Sequence, residues 1–285
     1  MRNKKRIDPV ANSASPAIVN AMAILESFSV EAPSLSLSEL GRKLGIPKAS
    51  VFRNLNALEQ CGYVIRSAKD GSYSLGVKVL DLSRRFAQKD RFLTAGSAHT
   101  RELSRATGET SHLAILDGSD VVYVDVAEGS QMIRAVVGRG DRLPAHSVAS
   151  GKAILAYSPR EAVMDFLARG LKSMTPHTVV SPDALLADFE RTRRRGYATN
   201  IGEWVDDVAA VAAPIFGQEN VVVGAIGIAG PRLRLGNKML AYLATSIRSQ
   251  AELLSRDLGG APPATAQEAT NGIPNDKKRK RLAIA

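Results

Sequence analysis

The hydrophobic pattern divides the chain into a helical N-terminal part and a longer part where strands and helices alternate. Ile18, Met22 and Leu25 recur at helical spacing and predict a first amphipathic helix over residues 17–28. Ser36-Leu37-Ser38-Glu39 has the form of a capping box, with the Ser36 hydroxyl placed for the Glu39 amide and the Glu39 carboxylate reaching back. A short helix then runs to Leu44, and Gly45 suits the turn that ends it. Pro47 fits the first turn of a third helix, because the amide it lacks would be unpaired there. That helix carries Val51, Leu55 and Leu58 on one face and stops at Gly62. Residues 63–66 and 72–75 predict two short strands around Lys69-Asp70-Gly71, where Asp-Gly points to a type I′ hairpin turn. Three helices followed by a hairpin is the order of a winged helix-turn-helix.

Residues 77–107 read as mostly helical, with Val79, Leu82, Phe86 and Leu93 as an apolar stripe. After Gly108 the texture changes. Residues 112–116 and 121–126 predict strands flanking Asp117-Gly118, and 132–137 a third strand. Helices are predicted over 148–157, 160–168 and 182–195, the last with Ser181 as its N-cap. A strand pair over 208–215 and 221–228 spans Gly217-Gln218-Glu219-Asn220, and a final helix runs over 237–258. Gly259-Gly260-Ala261-Pro262-Pro263 then opens a low-complexity tail. The domain reading is a flexible arm (1–16), a winged helix-turn-helix (17–76), linker and dimerisation helices (77–107), a second domain (108–258) and a disordered basic tail (259–285). The fold class is α+β.

Charge sharpens the first domain. The net charge is +10, which points to an anionic partner. Residues 1–76 hold ten Lys/Arg against six Asp/Glu, and Lys277–Arg281 adds five positive charges in a row. The third helix shows Lys48, Ala49, Ser50, Phe52, Arg53 and Asn54 away from its apolar stripe. A recognition helix meets base edges with its N-terminal residues. Arg53 suits guanine and Asn54 adenine. Lys48 and Ser50 suit phosphate oxygens, and Arg66, Lys69 and Tyr73 on the wing would touch the flanking backbone. Val51 is included in the DNA-binding set. The alternative is a helical domain whose basic face binds protein.

Other signals fall away. No apolar run approaches the roughly 18 residues of a membrane span, and the N-terminus lacks the apolar core of a secretory signal. The single Cys61 excludes a disulfide framework and fits a reducing cytoplasm. His146, Ser147 and Ser150 lack the G-x-S-x-G elbow of a serine hydrolase, so His146 reads as structural. Ser150-Gly151-Lys152 lacks both the upstream glycine and the following Ser/Thr of a phosphate loop. His99, His112, His146 and His177 have no metal-ligand spacing. Glu203, Asp206 and Asp207 read as a solvated loop, and Trp204 beside them as a packing residue. No catalytic residue, metal or cofactor is expected.

Residues 36–76 resemble the DNA-binding domain of the IclR family of bacterial transcription regulators. Two later stretches are similar to that family's effector domain. One is Arg142-Leu143-Pro144-Ala145-His146-Ser147-Val148-Ala149-Ser150-Gly151-Lys152-Ala153-Ile154-Leu155-Ala156. The other runs from Gly196-Tyr197-Ala198 through Ala212-Ala213-Pro214-Ile215 to Gly230-Pro231. The resemblance covers about residues 18–258. It implies a GAF-like domain: an antiparallel sheet flanked by helices, with a pocket for a small metabolite. It places the pocket at Ala149, Ser150 and Gly151, where a helix start favours an anion, and at Asn200, Ala210, Gly227 and Ala229. Family members that bind very small oxo-acids carry polar side chains where this chain has Ala210, Gly227 and Ala229, and a glycine familiar in the family is Asp207 here. A wider, less polar pocket is expected. The implied protein is a cytoplasmic, nucleoid-associated repressor, a homodimer or homotetramer that binds a double-stranded operator under control of a small organic or aromatic acid. The rival is an enzyme with the winged helix as a protein-docking module.

Overall fold

The computed structural model describes residues 15–135, 137–261 and 263. The predicted arm, apart from Ser15 and Pro16, lies outside them, as does the basic run Lys277–Arg281. The chain forms two compact units that meet between Lys89 and Asp90.

The first unit holds α1 (Pro16–Leu25), β1 (Ser34–Leu35), α2 (Leu37–Leu44), α3 (Lys48–Gln60), β2 (Val64–Arg66), β3 (Tyr73–Leu75) and α4 (Lys78–Lys89). The capping box of α2 closes both ways: Glu39 N donates to Ser36 Oγ at 3.3 Å and Ser36 N to Glu39 Oε2 at 2.8 Å. Gly45 takes the left-handed conformation, φ 69°, that turns the chain toward α3. Pro47 is the N-cap of α3 instead of its first turn. Ser34–Leu35, unassigned in the sequence, pairs with β3, so the hairpin becomes a three-stranded sheet ordered β1-β3-β2. The hairpin turn is not type I′, because Gly71 alone takes positive φ and Asp70 does not. Asp70 Oδ1 instead accepts from Ser72 N (3.1 Å) and Oγ (2.7 Å), and Ser67 N donates to Ser72 O across the loop. Ile24, Leu40, Val51, Leu55 and Val64 make a fully buried core.

The second unit opens with α5 (Arg91–Thr107), whose N-cap Asp90 accepts from the Phe92 and Leu93 amides. A six-stranded antiparallel sheet follows, ordered β6-β5-β4-β9-β8-β7. Its strands are β4 (Thr110–Asp117), β5 (Asp120–Ala127), β6 (Arg142–Pro144), β7 (Ala198–Ile201), β8 (Val208–Phe216) and β9 (Val222–Pro231). Residues 132–135 are irregular, and the edge position next to β5 goes to β6 instead of the predicted strand there. Alternation along β8 and β9 separates two cores. Val211, Ala213, Ile215, Ile226 and Ile228 pack toward α5 and α9 (Asn237–Asp257). Ala210, Ala212, Ala225 and Ala229 pack toward α6 (Ala149–Ala156), α7 (Arg160–Ala168) and α8 (Pro182–Arg195). The small side chains on that face let α6, buried at all eight positions, lie close to the sheet.

Candidate DNA-reading surface and ligand cavity

In the first unit α3 presents Lys48 and Arg53 to solvent, with Ser50 half-buried. Asn54 is half-buried, and its Nδ2 donates to Ser50 O at 2.9 Å within the helix. Reading a base through Asn54 costs that bond. On the wing, Arg66 and Lys69 are exposed, and Arg66 lies over the Tyr73 ring at 5.7 Å. Two residues of the sequence-derived set do not reach the surface. Val51 has no exposure and Tyr73 has 2 %, because both fill the core between α3 and the hairpin. They hold the reading surface in place instead of forming it.

In the second unit strand register lines up three of the expected pocket residues. Asn200 pairs with Ala210, and Ala210 with Ala229, so they form one row across β7, β8 and β9. That row lines a cavity whose other walls are His112, Tyr123, Ala135, Val137, Leu143, Val148, Ala149, Trp204 and Val208. Ala149 begins α6, and its N-cap residue Val148 gives that helix no side-chain hydrogen bond. Asn200 Oδ1 accepts from Glu203 N at 2.8 Å, which leaves the NH2 as the group to offer. Ser150 is buried beside the Tyr123 hydroxyl, one residue from the cavity wall. Gly151 and Gly227 are outside the lining. A Cβ at Gly151 would stand 2.1 Å from Ala145 O, and one at Gly227 2.7 Å from Ala212 Cβ. Both glycines serve close backbone packing.

The cavity is narrow, not wide. It offers about 40 Å³, room for about three waters at the roughly 10–15 Å³ that each needs and well below the roughly 150 Å³ that admits benzene. Of its walls, Trp204 stands on the irregular loop after β7 and is half-buried. Burial lowers His112 to about 4 and raises the Tyr123 hydroxyl to about 12, so both are neutral at physiological pH. Among the described residues, no Lys, Arg, Asp or Glu lines the cavity.

Residues 17–67 match the IclR helix-turn-helix domain, and residues 87–256 match the bacterial transcriptional regulator IclR C-terminal domain. The chain belongs to the IclR family. It is 33 % identical over 243 residues to the HTH-type transcriptional regulator KipR of Bacillus subtilis, covering 85 % of this chain and 96 % of KipR. It is 30 % identical over 253 residues to the repressor AllR of Escherichia coli, covering 88 % and 93 %. An IclR transcriptional regulator from Silicibacter sp. TM1040 superposes with TM-score 0.74 at 33 % identity, over 87 % of this chain and 98 % of that one. These relatives are regulators by name, so this IclR-family chain is a DNA-binding transcriptional regulator and not an enzyme.

One constellation in this IclR protein escaped the sequence reading. Lys152 on α6 is 1 % exposed, and its Nζ donates to Asp188 Oδ2 at 2.8 Å and to Glu203 Oε1 and Oε2 at 2.7 and 2.9 Å. Glu203 is therefore a buried ion-pair partner, not part of a solvated loop. Burial raises the Glu203 carboxyl above its usual range, against the pull of Lys152. Burial also pushes Asp188 up, but Lys152, Arg191 and Arg195 outweigh it and hold that carboxyl low. The signal was present in the sequence: Lys152 is the sole charge in the apolar octet of α6, and a buried lysine needs acidic partners. His146 donates through Nε2 to Lys172 O at 2.8 Å, the structural histidine that was expected.

Proposed function

We propose that this chain represses transcription from a twofold-symmetric operator and is released or retained according to a small organic acid held in the cavity of its second unit. The observation that carries the DNA half is the exposed Lys48 and Arg53 on α3, in one unit with exposed Arg66 and Lys69 on the wing. Arg53 reads a base, while Lys48, Ser50, Arg66 and Lys69 hold phosphates. The repressor sign follows AllR, which is a repressor by name. The site of action is the cytoplasm, at the nucleoid. In operator-shift assays Arg53→Ala is expected to cost about 1–3 kcal/mol and to relax preference at one base pair. Lys48→Ala is expected to weaken specific and random DNA alike. Unchanged operator affinity in Arg53→Ala would remove α3 from the reading role.

For the ligand half, Ala149 at the uncapped start of α6 receives the carboxylate, and the row Asn200–Ala210–Ala229 holds its body. The cavity volume favours a small acid, and an aromatic one enters when Trp204 swings out. The chain has one Trp, so its emission reports this cavity alone. Titration with organic acids should shift that emission at the concentrations that change operator binding. A fluorescence response unrelated to operator binding sinks the reading.

The working form is a homodimer or homotetramer. Leu80, Leu82 and Phe86 on α4 are each more than half exposed, and a second copy is their cover. Leu93 does not belong to that stripe, because α5 buries it in the second unit. Leu82→Asp with Phe86→Asp should sediment as a monomer and bind operator poorly.

A further inference from the structure

Among the described residues, the buried side-chain atoms without a hydrogen bond of good geometry belong to two residues: Nδ1 and Nε2 of His112, and Oγ of Ser150, which has only the Tyr123 hydroxyl as a near partner. Both residues are 1 % exposed. Folded proteins leave few such atoms unpaired, and here they gather at one place. The His112 ring lies 4.6 Å from the Tyr123 ring, and Ser150 stands beside the Tyr123 hydroxyl. His112 and Tyr123 both line the cavity. His99 and His146 differ, since each has a protein partner, Gln250 Oε1 for one and Lys172 O for the other. Packing alone accounts for a phenylalanine at position 112, not for an imidazole with two idle nitrogens.

We propose that His112, with the Tyr123 hydroxyl and Ser150, reads a hydroxyl group of the ligand, so that the effector is a hydroxy acid. The inference rests on the reading of this cavity as the effector site. The carboxylate takes the first turn of α6 at Ala149, and the hydroxyl takes the imidazole. A neutral imidazole offers one donor and one acceptor, and a hydroxyl is the small group that both accepts and donates. A second carboxylate or an ammonium group would be buried without a counter-charge, because no charged side chain among the described residues lines the cavity. A site built to hydrogen-bond a hydroxyl rejects the analogue without it, since the analogue leaves buried polar atoms unpaired.

The test uses the full chain and two matched pairs of probes, lactate against propionate and 4-hydroxybenzoate against benzoate, titrated by calorimetry. The hydroxylated member of at least one pair should bind ten-fold tighter or more. His112→Phe should erase that preference, leave affinity for the deoxy member within about three-fold, and melt no lower than wild type. Tyr123→Phe, which removes one oxygen, should reduce the preference and guards against a folding defect at position 112. Acid binding with no hydroxyl preference in wild type overturns the proposal and leaves the cavity as an effector site. A preference that survives both variants does the same. No binding of any of the four acids overturns the proposal together with that reading of the cavity, while operator binding is scored separately. Binding that depends on added Zn2+ and disappears with chelator assigns the imidazole to a metal and also overturns it.

Discussion

At the scale of single residues, burial does most of the chemistry here. His112 titrates near 4 in the folded chain against about 6.5 when unfolded. The unfolded chain therefore binds the extra proton first as pH falls. Stability linked to this residue is complete above about pH 6.5 and drains away between there and pH 4, by about 3 kcal/mol at most. His112→Phe should flatten that part of the stability–pH curve in urea unfolding, and an unchanged curve would place the imidazole in water. Lys152 sits at the opposite extreme, a fully buried charge held by two carboxylates. Lys152→Met strands Glu203 without its cation, while Asp188 keeps Arg191 at 3.2 Å, and should cost about 3–5 kcal/mol. Combining it with Glu203→Gln should restore part of that loss, because the orphaned charge goes with it. Glycines set a third limit. Gly151→Ala forces a methyl to 2.1 Å from Ala145 O and should lower the melting temperature of the second unit with no change in DNA contacts. Gly227→Leu has the same character, with the added bulk meeting Ala212 and Val211 inside the sheet. It is a folding variant, so a longer side chain at Ala229, which lines the cavity, is the cleaner way to fill it.

At the scale of elements, local signals were legible wherever one strong cause fixed the conformation. The capping box at Ser36 and the left-handed glycine at Gly45 placed α2 to the residue, and Ser181 with Pro182 did the same for α8. Ser36→Ala should therefore cost about 1 kcal/mol and show as weaker operator binding and an earlier melt of the first unit. Equal stability in that variant would mean that packing alone defines α2. What the sequence hid was pairing. Ser34–Leu35 and Ala198–Ile201 are too short to show periodicity, and they become strands because neighbours β3 and β8 present open edges. Residues 132–135 have an apolar content that reads as a strand, but Tyr123 N bonds to Asp141 O and Val121 pairs with Leu143, so the edge of β5 is taken. The site was legible to the same degree. Ala149, Asn200, Ala210 and Ala229 line the cavity, whereas His112 and Tyr123 are brought there by the β4–β5 hairpin, a contact that no spacing along the chain encodes. The exposed face of α3 was readable from its period, and so was the burial of Val51 on the apolar face with Leu55 and Leu58, but burial of Tyr73 depended on how the hairpin closes over that helix.

At the scale of the whole molecule, the proposed DNA-reading surface and the proposed ligand cavity lie in different compact units, and the chain passes from one to the other between Lys89 and Asp90. Regulation requires a coupling free energy between the two sites, typically about 1–3 kcal/mol. A ligand can supply it only if something rigid connects what it orders to what holds the DNA. The covalent path between the units runs through Asp90. Its carboxylate caps α5 by accepting from the Phe92 and Leu93 amides, at 2.8 and 3.4 Å, and α5 packs its Phe92, Leu93 and Leu103 into the core behind the sheet. The helix on the other side of Asp90, α4, carries the exposed apolar residues assigned to the partner copy. Inserting Gly-Gly between Lys89 and Asp90 leaves both units and the α5 cap intact but makes the junction compliant. Such a variant should bind random duplex DNA like wild type and show the Trp204 response to ligand at unchanged concentration. Its operator affinity should fall, because two winged helices on a loose joint gain less from binding together. Ligand should no longer alter what operator binding remains. Asp90→Ala gives the milder case, a weakened cap with the covalent path unchanged, and should reduce the ligand effect without abolishing it. If the insertion variant releases or retains operator with the same ligand dependence as wild type, coupling does not run through this junction.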